Sequence, residues 1–69
     1  MTAPIRLSFS WSTRREGNDG YVLEQCPTDG YRKEFGPIPA HTVPAFVIGR
    51  RRIIAMLMKR RGASYVLEN

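Results

Sequence analysis

Two side chains in this chain carry nucleophilic or acid–base chemistry near neutral pH, Cys26 and His41, and neither has the company that catalysis needs. A thiol nucleophile requires a base within hydrogen-bond reach. Cys26 is followed by Pro27 at a turn, with no second histidine and no paired carboxylate beside it. His41 falls in a loop just before a helical stretch, where a capping or solvent-exposed role is the ordinary one. One cysteine and one histidine also exclude an intrachain disulfide and a zinc ligand set. There is no glycine-rich phosphate loop, no helix-turn-helix pair and no zinc knuckle. The expectation is a protein that is not an enzyme, with no metal site, no catalytic residues and no cofactor.

The remaining chemistry is cationic. The run GRRRIIAMLMKRRG, residues 49–62, packs Arg50, Arg51, Arg52, Lys59, Arg60 and Arg61 among apolar neighbours. The net charge of +5 is carried there. Residues 1–36 hold five basic and five acidic side chains, whereas the six cations between Phe35 and Leu67 have no acid among them. Cations in the last turn of a helix are favoured by its macrodipole, which accounts for Lys59, Arg60 and Arg61. The mid-helix triplet gains nothing from that field, and three adjacent like charges ask for something to neutralise them.

Those residues must be positioned by a small framework. A chain of 69 residues makes one domain (1–69) and buries only about 60% of its unfolded surface. A hydrophobic content of 42% indicates a folded domain, not a disordered basic tail. IRLSFSWS alternates strictly, with Ile5, Leu7, Phe9 and Trp11 on one side and Arg6, Ser8, Ser10 and Ser12 on the other, so it reads as a half-buried strand. Gly17 to Gly20 is a turn, YVLEQC a second strand, PTDG a tight turn and YRKEF a third strand. Two prolines and a glycine in GPIPAH are expected to end that strand and reverse the chain. Thr42 suits an N-cap, Pro44 a first turn and Gly62 a C′ position, so residues 43–61 read as one helix. At 100° per residue Val43, Phe46, Val47, Ile54, Leu57 and Met58 share a face. Gly49 inside it costs about 1 kcal/mol relative to alanine and admits a kink. SYVLE is a short last strand. The fold class is α+β, ordered β-β-β-α-β: an antiparallel meander sheet with one long helix on one face. The last strand joins parallel to the first through a right-handed crossover, or pairs with another subunit.

Three features of this plan bear on function. Arg50 projects into the apolar stripe, and so is expected to snorkel to the surface, to bond a carboxylate such as Glu34 or Glu68, or to hold an anion. Phe9 and Trp11 lie where the helix must pack, while Tyr21 and Tyr31, at the hairpin ends, are left open between packing and presenting rings outward for base stacking. Ile48, Ala55 and Met56 fall away from the core stripe, beside Arg52 and Lys59, as a contact surface. The reading that follows first is a small basic module binding nucleic acid through Arg51, Arg52, Lys59 and Arg60 in an accessory or regulatory role. The alternative is a protein-binding adaptor or inhibitor, of the kind that small mobile-element or phage genes encode. It would use Ile48, Arg52, Ala55 and Met56 against an acidic surface or, in a homodimer, a second copy. MTAPIRLSFSW, with Arg6 and alternating serines, is not a signal peptide, and Arg50 to Arg52 break the longest apolar run, Val43 to Met58. With one lone thiol, the expectation is a soluble cytoplasmic protein without membrane contact.

Overall fold

The computed structural model describes residues 6–68; Ile5, placed by its alternation with Leu7, Phe9 and Trp11, lies outside them. Strands β1 (Arg6–Glu16), β2 (Asp19–Cys26) and β3 (Tyr31–Pro39) form the meander, followed by helix α1 (Val43–Arg61) and strand β4 (Ser64–Leu67). The sheet order is β3-β2-β1-β4. β4 runs parallel to β1, from Arg6 opposite Ser64 to Phe9 opposite Leu67. The other pairings are antiparallel. The expected α+β plan is therefore the observed one, and the last strand pairs within the chain.

Alternation sets the two faces of the sheet. Phe9 and Trp11 of β1 with Val22, Glu24 and Cys26 of β2 form a buried layer, and Ile54 and Met58 of α1 close it from above. Ser12, Arg14, Arg32 and Glu34 lie on the open face and are exposed. Gly30 ends the 3-10 turn Pro27–Asp29 in the left-handed region at φ 69°. Gly62, at φ 65°, ends α1 there too, its N–H donating to the carbonyls of Lys59 and Met58.

Three local expectations are corrected. The Gly36–Pro37 bond is cis, and the strand does not end there: β3 continues to Pro39. A bulge absorbs the disturbance, because the register passes from Val22–Phe35 to Gly20–Ile38 and sets two residues of β3 opposite Tyr21. Gly36 has φ 133°, and a Cβ there would sit 2.6 Å from the Tyr21 ring and 2.8 Å from the Gly20 carbonyl. The reversal falls instead on the 3-10 turn Ala40–Thr42. Thr42 does not cap α1, since its backbone is already helical (φ −93°, ψ −4°) and its hydroxyl donates to the Pro39 carbonyl at 2.7 Å. Leu57 does not belong to the core; it is 40% exposed, on the flank of the stripe that no element covers.

Candidate functional site

The centre of the molecule is a carboxylate. Glu24 is fully buried, between Val22 and Cys26 on the core-facing side of β2. Its Oε1 accepts from Trp11 Nε1 at 2.8 Å and from Arg50 Nε at 2.9 Å. Its Oε2 accepts from the Tyr31 hydroxyl at 2.7 Å and from Arg50 Nη2 at 2.9 Å. Arg50 thus meets it as a two-pronged fork, the strongest geometry for this pair. The guanidinium also lies 4.8 Å from the centroid of the Phe35 ring. Burial pushes the Glu24 carboxyl up, but the hydrogen bonds from Arg50, Tyr31 and Trp11 outweigh it and hold it below the ordinary carboxylate value. Arg50 is raised, first by its bond to Glu24 and against its own burial. Burial and then the bond to Glu24 raise Tyr31.

This cluster answers the question posed by Arg50. It does bond a carboxylate, but the partner is Glu24, not Glu34 or Glu68. Glu34 instead accepts from Arg14 at 3.3 Å across the open face, and Arg14 also pairs with Glu16 at 2.7 Å. The two tyrosines that the sequence left open divide between the faces. Tyr31 is half-buried and spends its hydroxyl on Glu24, while Tyr21 lies under the Arg14 guanidinium at 3.9 Å. Phe9 and Trp11 are core residues as expected.

The arginine triplet is divided by the helix geometry. Arg50 points inward. Arg51 is half-buried, stacks over Trp11 at 5.4 Å and donates to the Glu68 carbonyl at 3.4 Å. Arg52 is exposed, as are Lys59 and Arg60 about two turns further on. Of the contact patch, Ile48 is 53% and Met56 55% exposed, whereas Ala55 is half-buried. Ile53, at 44%, joins Leu57 on the opposite flank, so four large apolar side chains of α1 face solvent.

His41 is exposed in the Ala40–Thr42 turn. Cys26 is buried, with its sulfur 3.4 Å from the Thr28 hydroxyl. Among the described residues no group of three His, Cys, Asp or Glu side chains is placed to hold a metal ion, and no helix is long and apolar enough to cross a membrane. No protein-family model, no curated protein and no solved structure matches this chain.

Proposed function

We propose that this protein is a non-enzymatic, cytoplasmic protein-binding module that docks the outer surface of α1 on a partner offering carboxylates around an apolar patch. The observation that carries this reading is the composition of that surface. Ile48, Ile53, Met56 and Leu57 stand exposed on one helix, interleaved with Arg52, Lys59 and Arg60, and no acidic residue lies between Phe35 and Leu67. Isolated exposed apolar side chains need no explanation, but four on one helix are the anchors of a helix-in-groove contact. The cations around them steer the encounter toward acidic partners and away from like-charged ones.

The nucleic-acid reading loses part of its support to the same geometry. Arg50 is committed to Glu24, and Arg51 is laid on Trp11. Arg52, Lys59 and Arg60 remain for phosphate, and exposed Ile and Met between them gain nothing from a sugar–phosphate backbone. These three exposed cations keep it as the second reading.

The deciding experiment is affinity capture on the immobilised protein, followed by identification of the bound protein and titration of the purified pair. Met56→Asp places a like charge against an acidic partner and removes an apolar anchor. It is expected to weaken the pair by at least about tenfold, a loss of about 1.4 kcal/mol, while leaving the melting temperature unchanged. Unaltered affinity for Met56→Asp and Ile53→Asp alike sinks the helix-face reading.

A further inference from the structure

β3 is the outermost strand on its side of the sheet, and its pairing fixes where its main-chain groups point. Glu16 pairs with Asp19 across a two-residue turn, and Ala40 N donates to Asn18 O at 2.9 Å from the β3 side. Peptide groups alternate sides along a strand, so Val22, Glu24 and Cys26 bond toward β3 and engage Phe35, Lys33 and Tyr31. Between these, Arg32 and Glu34 turn their N–H and C=O groups outward. No strand among the described residues lies beyond them. An open edge of this kind is a template for another chain.

The side chains along this edge are their own complement. Arg32 and Glu34 are exposed on the open face, one residue either side of Lys33. Among the described residues the Arg32 guanidinium has no carboxylate partner, and Glu34 gives Arg14 only its Oε1, at 3.3 Å. Tyr31 and Phe35, half-buried on the other face, stand one step further out at either end. Turned about a two-fold axis through Lys33, the edge meets itself with Arg32 opposite Glu34 twice, as the pairs that exchange main-chain bonds. Tyr31 then lies opposite Phe35 twice, in the closer, non-bonded spacing that suits aromatic pairs. A register shifted by two residues either way sets Arg32 against Arg32 or Glu34 against Glu34. Lys33 faces its own copy across the axis, the single unfavourable row. Its Nζ lies 5.1 Å from the Phe35 ring centroid, so the two ammoniums lean in opposite directions along their strands.

We propose that two copies of this chain pair antiparallel along β3 through residues 31–35, joining their sheets into one. The order of charges selects a second copy, because the same edge supplies both members of each facing pair. The bulge opposite Tyr21, with no N–H at Pro37, ends the paired stretch, so the contact is small and the dimer reversible. Both helices lie on the same side of the joined sheet, so the dimer offers two outer α1 surfaces to a partner. The pairing uses none of Arg52, Ile53 or Met56 and does not depend on the helix-face reading.

The test uses the intact protein in about 150 mM salt, which screens the long-range repulsion between two copies of charge +5. Sedimentation equilibrium is expected to show the mass rising from 7.9 kDa toward twice that value between about 10 µM and about 1 mM. At the upper concentration amide exchange slows at Arg32 and Glu34 by about threefold or more, while Tyr31, Lys33 and Phe35, already bonded to β2, stay as they are. Arg32→Glu and Glu34→Arg, both at exposed positions, each set like charges in two rows and weaken self-association by about tenfold. Mixed in equal amounts the two variants associate again, because each then offers the charges that the other lacks. Lys33→Thr relieves the axis and strengthens the dimer. Met56→Asp leaves it unchanged, so this edge and the helix face succeed or fail separately. A monomeric mass up to about 1 mM overturns the proposal. So does association with the Arg32 and Glu34 amides unprotected, or a mixture of the two charge variants that associates no better than either alone.

Discussion

Replacing Arg50 by methionine tests the architecture at its most sensitive point. The thioether keeps the apolar stem and the contact with Phe35 but removes both prongs of the fork. Glu24 then keeps two of its four hydrogen bonds, those from Trp11 and Tyr31, both neutral donors. Leaving one member of a buried ion pair without its partner costs about 3–5 kcal/mol. A domain of this length holds only about 3.5–10 kcal/mol in total. At about 4–8 °C per kcal/mol, the lower bound already lowers the melting temperature by about 12 °C. The loss also depends on pH in a defined direction. In the wild type the carboxyl is held below its ordinary value, so its contribution is complete above the unfolded carboxylate range and is lost as pH falls through the folded value. In Arg50→Met, burial is no longer outweighed, and the carboxyl moves above its ordinary value. That variant is penalised most near neutrality and relieved as acid protonates Glu24. Thermal denaturation followed by circular dichroism should therefore show the gap between the two proteins narrowing from about pH 7 to about pH 5. Adding Glu24→Gln to the variant should recover more than half of it. A melting temperature within about 3 °C of wild type, or a gap that does not change with pH, refutes the reasoning.

Two further outcomes are expected. If the second functional reading holds, three exposed cations release about three counterions from duplex DNA, so anisotropy should show affinity falling about 40-fold between about 50 and about 200 mM salt; no binding at the lower salt removes that reading. Gly49→Ala should stabilise the fold by about 1 kcal/mol and raise the melting temperature by about 4–8 °C, because a Cβ there meets nothing within 4 Å; a lowered melting temperature contradicts it.

Periodicity located α1 and the strands; for β4 it left two options, a parallel place beside β1 or pairing with another subunit, and the first is the one observed. Glu24 was within reach of the same logic. The alternation of YVLEQC puts it on the side of Val22 and Cys26, as the helical period puts Arg50 in the apolar stripe. Which carboxylate Arg50 meets depends on how far α1 has slid along β2, and no local period encodes a slide. GPIP is a turn signal taken by itself, yet its Ile38 and Pro39 still pair with Gly20 and Asp19, because the sheet accommodates the extra residue as a bulge. Leu57 illustrates the converse limit. Its place on the helical wheel borders the stripe, but the width of the covered face is decided by the sheet beneath. Of the predicted site residues, Arg51 was drawn away by Trp11, an attraction between elements far apart in sequence.

The fork between Arg50 and Glu24 also acts as an indexing pin for α1. Rolling the helix by one residue would hide a different set of side chains, but it would strand an ionised pair in the interior. The azimuth is consequently locked from within, by atoms that no partner touches. Residues on the outward side can then be exchanged without resetting the helix, so recognition and foldability are separable traits of this chain.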